Sequence, residues 1–289
     1  MIDGILANTS ALDNRLKEVF VTDRFSVQSS PQSSEKRQVI EDEQLKRMMK
    51  ANEPSFMEKY GSCIVTLVLI AICVVVYVIE VLRSDFSTSI STMVLFDMGA
   101  LYAPAIVSPL DWYRFVAPMF LHVDFMHLLF NIGALYSCGV LLERMLGRWN
   151  YLLLYFIAGI TGNALCYMVD MMTGSYYVSA GASTSIFGLF VAAALLGILS
   201  KRNRAFFMQY SKGMLSIIAI NIVYTFLMPS ISISGHLGGA LGGLIAMFMI
   251  PSKNLRVPLP VRVVISVVWL LAIAHVLASS IGAAFISLF

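Results

Sequence analysis

Charge is scarce in this sequence: Asp, Glu, Lys and Arg make up only 13% of its 289 residues. A soluble domain of that size needs considerably more charge to cover its surface. Hydrophobic residues account for 58% of the chain and fall into long blocks. Because a helix of about 20 apolar residues crosses a bilayer core of roughly 30 Å, the composition predicts an all-α polytopic membrane protein.

Cysteine is also rare, and the four residues lie singly within apolar blocks, without a close C-x-x-C pair. Neither a metal site nor a disulfide framework is therefore expected. The net charge of +3 is small and forms no basic stripe, so nucleic acid is not an expected partner. The cysteines are predicted to be small buried residues: Cys63, Cys73, Cys138 and Cys166.

Polar and hydrophobic stretches divide the chain into three parts. The polar residues 1–60 are predicted to form a cytosolic region with a flexible linker. Residues 61–250 hold six predicted spans, and residues 251–289 hold a cytoplasmic loop and a seventh span. A proline-interrupted stretch between the first two spans is too broken for a plain span and too apolar for an exposed loop. The predicted spans cover residues 62–82, 119–142, 150–170, 181–200, 213–228, 234–250 and 263–289.

Lysine and arginine are concentrated in alternate connections between these spans. Arg144 and Arg148 lie between spans two and three, for example, whereas no basic residue joins spans three and four. Because positive charge favours the cytoplasmic side, the N-terminus is predicted to be cytoplasmic and the C-terminus external. Short connections and the absence of a transit-peptide pattern favour the plasma membrane.

One serine and one histidine are predicted near the same, external membrane face. Ser183 lies at the start of span four and His236 at the start of span six. A serine hydroxyl is a weak nucleophile until a neighbouring base takes its proton, which a neutral imidazole can do. Neither span carries an Asp or Glu, so the pair would act as a dyad. Each residue alone also fits a structural role, in helix back-bonding or buried packing.

The residues around this pair could support it. Phe187 lies four positions after Ser183, on the same helical face, and could stack on the imidazole. In span two, His127 and Asn131 share a face and could donate hydrogen bonds to an oxyanion. Two rows of small residues in span six would let helices approach closely: Gly235, Gly239 and Gly243 in one row, and Gly238 with Gly242 in the other.

The other polar residues of the spans favour structural roles. His122 lies five positions before His127, roughly 140° around a continuous helix, and is expected to point elsewhere. His275 stands alone in span seven and is expected to pack against a neighbouring span. Glu143 ends span two beside Arg144, and ion pairing that anchors the cytoplasmic face is expected there.

Four motifs resemble those of the rhomboid proteases in order and spacing. They are WYRFVAPMFLHVDFMHLLFN at 112–131, LLERMLGR at 141–148, GAST at 181–184 and GHLGGALGG at 235–243. The resemblance covers residues 62–250 and implies a six-span core, a membrane-embedded first loop, and span seven as in the six-plus-one variant.

The same resemblance implies roles for individual residues. Ser183 matches the nucleophile and His236 the base, and His127 and Asn131 match the oxyanion side. Arg114 matches the arginine of the first loop, and Gly181 and Gly239, which lie within two of the quoted motifs, are expected to support the site. No metal or organic cofactor is implied, and the expected partners are the lipid bilayer and single-pass transmembrane substrates.

Two positions depart from the family pattern: Tyr113 stands where tryptophan is usual before Arg114, and Thr184 follows the nucleophile where glycine is usual. The second departure matters more, because a larger residue could crowd the contact between spans four and six. We hypothesise that Gly235 makes room for the larger side chain. The function expected overall is an intramembrane serine endopeptidase that cleaves near the external face. Two alternatives are a catalytically inactive relative that binds transmembrane clients, and a transporter or channel, although the spans carry almost no deep carboxylates and no internal repeat is evident.

Overall fold

The structure is a computed structural model, described here for residues 63–199, 232–251 and 257–286. These residues belong to one compact unit, Phe56–Phe289. The predicted cytosolic region at 1–60 and the predicted fifth span at 213–228 lie outside the described residues.

The described residues form seven α-helices, of which six correspond to predicted spans. Helices α1, α3, α4 and α7 are long and apolar enough to cross a membrane, whereas α5 and α6 are apolar helices of 17 residues each. The predicted all-α polytopic architecture is confirmed, and the chain is an integral membrane protein. The helices are α1 (Ile64–Arg83), α2 (Thr92–Asp97), α3 (Phe125–Leu146), α4 (Arg148–Thr173), α5 (Ser183–Leu199), α6 (Ile233–Met249) and α7 (Leu259–Ile286).

The stretch between α1 and α3 is folded rather than extended. It contains α2 and three 3₁₀ segments, Ala103–Ala105, Pro109–Phe115 and Ala117–Phe120. Arg114 secures it, since its Nη1 donates to the carbonyl oxygens of Phe96 and Ala100, each at 2.9 Å. This buried guanidinium therefore satisfies backbone groups of the loop.

Helix α3 begins six residues later than predicted. The carboxylate of Asp124 accepts a 2.8 Å bond from the backbone N–H of His127 and so caps the helix at its N-terminus. The preceding 3₁₀ turn, Ala117–Phe120, ends in extended backbone at Leu121 (φ −89°, ψ 150°), which interrupts the helix that a start at residue 119 would require. The apolar run that suggested an earlier start is instead part of the folded loop.

The centre of the bundle is α5, packed between α4 and α6. It is apolar around its whole circumference, and a helix of that kind is buried on all sides. The described core residues that it contributes are Ile186, Leu189, Phe190, Ala192, Ala193 and Leu196.

Two glycine rows give α6 its close contacts with α4 and α5. A β-carbon added at Gly239 would collide with the carbonyl oxygen of Thr184 in α5. One added at Gly242, in the other row, would lie 2.7 Å from Thr161 Cβ in α4. Each row therefore faces a different neighbour, as the close approach of backbones at small residues requires.

At the other end of α3, the buried carboxylate of Glu143 caps α1. It accepts bonds from the backbone N–H groups of Val65 and Thr66, at 2.9 and 2.8 Å, and from Thr66 Oγ1 at 2.8 Å. The first N–H groups of a helix have no partners within it, and Glu143 supplies acceptors for two of them. The sequence predicted that Glu143 anchors this end of the bundle, but not that it caps α1.

Candidate active site

Ser183 and His236 meet at one end of the bundle. Ser183 is the first residue of α5 and His236 lies in the first turn of α6. Ser183 Oγ is 2.8 Å from His236 Nε2, and both residues are buried, with exposed fractions of 8% and 7%. The structure thus brings together the two residues that the sequence predicted as a dyad.

Local structure at the start of α6 sets the position of the histidine. The side chain of Ser232 caps the helix by accepting a 3.0 Å bond from the N–H of Gly235. Gly239, one turn beyond His236, lies against the backbone of Thr184. Because no β-carbon keeps the two helices apart, an imidazole on α6 reaches a hydroxyl on α5.

The imidazole of His236 is held flat against Phe187. The ring centroids are 4.1 Å apart and the planes differ by 15°. Phe187 lies one turn beyond Ser183, so the same face of α5 carries the hydroxyl and the supporting ring. The stack restricts rotation of the imidazole and keeps Nε2 directed at Ser183.

On the other side of Ser183, Gly181 and His127 are in close contact. A β-carbon at Gly181 would lie 2.8 Å from His127 Cε1 and 3.2 Å from Ser183 Oγ. Gly181 also has φ +143°, which L side chains rarely adopt. The position needs glycine for both reasons, and its small size lets the His127 ring lie against the backbone just before Ser183.

Asn131 is buried one turn beyond His127, on the face that the sequence predicted. Its Nδ2 donates a 2.9 Å bond to the backbone carbonyl of His127. One of the two side-chain N–H groups of Asn131 therefore donates within α3. The side-chain amide carries a second N–H donor.

Two histidines are placed differently from the prediction. His122 lies before α3 rather than within it, and its ring is next to His127, with centroids 5.4 Å apart. The prediction that it points elsewhere was wrong, because it assumed a continuous helix through both residues. His275, for which packing was expected, is exposed on α7.

Glu80, which the sequence analysis did not single out, holds the segment that carries His122. Its fully buried carboxylate accepts bonds from the N–H of His122 at 3.1 and 3.3 Å. An acidic residue within the first apolar span was a signal that could have identified it.

A small cavity of about 20 Å³ adjoins the dyad, and Ser183 and His236 both line it. That volume holds about one water molecule. The four cysteines are buried, as predicted. Among the described residues, no group of His, Cys, Asp and Glu is arranged to hold a metal ion.

The sequence model of the family described as Rhomboid domain matches residues 109–253, just over half of the 289 residues. The chain belongs to the rhomboid family. The rhomboid relative YdcA of Bacillus subtilis (strain 168) is 35% identical over 146 residues, which cover 50% of this chain and 71% of YdcA.

Two further relatives match this rhomboid chain over longer stretches. Rhomboid protease GluP of Bacillus subtilis (strain 168) is 38% identical over 160 residues, covering 55% of this chain but only 30% of GluP. Rhomboid protease AarA of Providencia stuartii is 28% identical over 217 residues, covering 67% of this chain and 75% of AarA. The chain therefore corresponds to less than a third of GluP.

Proposed function

We propose that this rhomboid protein is an intramembrane serine endopeptidase, with Ser183 as nucleophile and His236 as base. The observation that carries the proposal is the buried 2.8 Å contact between Ser183 Oγ and His236 Nε2. An imidazole at that distance can take the hydroxyl proton as the oxygen attacks a carbonyl carbon. The relatives GluP and AarA, both named rhomboid proteases, support the same activity.

The proposed reaction has two halves. Ser183 Oγ attacks the carbonyl carbon of a substrate peptide bond while His236 takes the serine proton, and the departing amine then receives that proton. Water next attacks the acyl-enzyme with His236 again as base, which releases the new carboxyl terminus and restores Ser183. Phe187 keeps the imidazole oriented through both halves, since it stacks on the ring at 4.1 Å.

The tetrahedral intermediates carry a negatively charged oxygen that needs hydrogen-bond donors. Ser183 begins α5, so its backbone N–H is not used within the helix and is a suitable donor. We assign His127, whose ring adjoins Gly181 and Ser183, as a second donor. Asn131, bonded to the His127 carbonyl, positions that residue and offers its remaining N–H.

The proposed substrates are single-pass transmembrane proteins. Backbone amides of an intact helix are bonded to one another in lipid and are shielded from attack. A substrate must therefore unwind locally near the dyad. The family resemblance implies helix-breaking residues in the substrate and a small residue before the cleaved bond.

The test combines labelling with cleavage. A fluorophosphonate probe should label the detergent-purified protein, and a single-pass reporter should be cleaved in proteoliposomes. Both signals should fall at least about a hundredfold in Ser183→Ala and His236→Ala, because each removes a member of the dyad. Ser185→Ala is the matched control: its hydroxyl is on the same helix but faces Gly159 in α4.

The alternative of an inactive client-binding protein makes a different prediction. Reporter capture without cleavage, unchanged by Ser183→Ala, would support it and contradict the protease proposal. Cleavage that persists equally in Ser183→Ala and His236→Ala would also contradict the dyad.

We also infer that the dyad lies towards the external face of a plasma membrane, with the N-terminus cytoplasmic. Arg144 and Arg148 lie where α3 ends and α4 begins, whereas Ser183 follows the opposite end of α4. The basic end is the one expected on the cytoplasmic side. A reporter enzyme that is active only outside the cytoplasm, fused after residue 289, should be active. If a reporter that is active only in the cytoplasm is active at the same position, the orientation is the opposite of the one inferred.

A further inference from the structure

A second, larger cavity opens beside the dyad. It has a volume of about 540 Å³ and lies between the end of α4, the loop at 174–182 and the start of α6. Ser179 and Ser232 line both this cavity and the small cavity that Ser183 and His236 also line. A segment bound in the large cavity would therefore be continuous with a chain whose peptide bond lies at the dyad.

One charged side chain lines this cavity among the described residues, that of Asp170 in the last turn of α4. Asp170 is 7% exposed, and in the described part of the chain it forms no ion pair. Its closest side-chain partner there is the Cys166 thiol, with Sγ 4.0 Å from Oδ2. A thiol is a weak donor, so it offsets little of the cost of enclosing a carboxylate.

The other described polar residues of the cavity are hydroxyl-bearing. Thr173, Ser175, Ser179 and Ser234 line it with Asp170, and Leu237 contributes an apolar side. An ammonium group has three N–H donors, and a guanidinium has five. A carboxylate can take one or two of these as charge-assisted bonds, and hydroxyl oxygens can accept the others.

We propose that this cavity is a substrate subsite that selects a basic side chain, Lys or Arg, close to the cleaved bond, and that Asp170 determines the selectivity. The inference rests on the proposed protease function, because the substrate chain is what links the cavity to the dyad. Hydrogen bonds to charged groups contribute about 1.5–3 kcal/mol, which corresponds to a preference of about tenfold or more.

The experiment measures a ratio of rates. A lysine is placed in turn at each position flanking the cleaved bond of a single-pass reporter, and each substrate is paired with one carrying methionine at that position. For the wild type, kcat/KM for Lys over Met should be about ten or more at one position or two. In Asp170→Asn that ratio should fall to about one, and in Asp170→Glu it should remain well above one.

Asp97→Asn is the matched control, because Asp97 is an exposed acidic residue at the end of α2 and does not line the cavity. It should leave the ratio unchanged. Fluorophosphonate labelling of each variant reports whether the dyad is assembled, so loss of folding is distinguished from loss of selectivity.

Two outcomes would contradict the proposed subsite without contradicting the proposed protease function. One is a wild-type ratio near one at every position, and the other is an Asp170→Asn variant that slows Lys and Met substrates by the same factor. The latter would mean that Asp170 supports water access or folding. A wild type that neither labels nor cleaves any reporter would instead overturn the protease proposal and the subsite with it.

Discussion

Thr184 and Gly235 face each other across the contact between α5 and α6. A β-carbon at Gly235 would lie 3.2 Å from Thr184 Cγ2, closer than ordinary side-chain contacts. Thr184 stands where the family pattern has glycine, and the geometry agrees with the hypothesis that Gly235 makes room for it. The pair is adjacent to both members of the proposed dyad, so crowding here would shift Ser183 relative to His236.

Gly235→Ala should therefore destabilise the protein and slow labelling, and a second change, Thr184→Gly, should restore both. Overpacking of this kind costs about 1–3 kcal/mol. Thermal unfolding in detergent and the rate of fluorophosphonate labelling measure the two effects. Gly133→Ala is the control, because a β-carbon at Gly133 would meet nothing within 4 Å. Additive rather than compensating effects in the double variant would rule out the pairing.

Gly181→Ala should abolish most labelling while leaving the helical content unchanged. The substitution places a β-carbon 2.8 Å from His127 and imposes a rare φ on alanine. Gly147→Ala separates the two effects, since Gly147 also has backbone angles that are rare for alanine (φ 82°, ψ 160°) but open space around it. Equal loss of labelling in both variants would mean that backbone strain, and not the His127 contact, is responsible.

Removal of the ring that supports the base should slow the proposed reaction without unfolding the site. Phe187→Ala should reduce the labelling rate about tenfold, since a stacked aromatic pair contributes about 0.5–1.5 kcal/mol beyond burial and the imidazole also loses its orientation. Phe187→Tyr keeps the ring and should recover most of the rate. If Phe187→Ala labels as fast as the wild type, the stack has no part in positioning His236.

The Glu143 cap should affect stability and not chemistry, because it lies at the end of α3 remote from His127. Glu143→Gln should lower the free energy of unfolding by about 2 kcal/mol, as expected for a lost charge-assisted acceptor. A double-mutant cycle with Thr66→Val should reveal coupling, since Thr66 Oγ1 and Glu143 are bonded at 2.8 Å. Labelling per folded molecule should be unchanged. Zero coupling energy would exclude the side-chain bond as a source of stability.

Much of the fold and of the candidate site could be predicted from local spacing. Six predicted spans correspond to helices of the described residues, because an apolar run of membrane length has few alternatives in lipid. Phe187 lies on the Ser183 face because residues four apart share a helical face. The glycine rows of α6 likewise follow from periodicity, which divides them between two neighbours.

The sequence by itself determined the class of protein, most of the described helices and the residues proposed to carry the chemistry. Tertiary structure alone decided that His122 lies beside His127, that Asn131 donates to a backbone carbonyl, and that Asp170 faces a cavity beside the dyad. The reason is physical: periodicity specifies which face of a helix a residue occupies. It does not specify where a helix is capped, or which atoms of distant segments come within a few ångströms once the helices have packed.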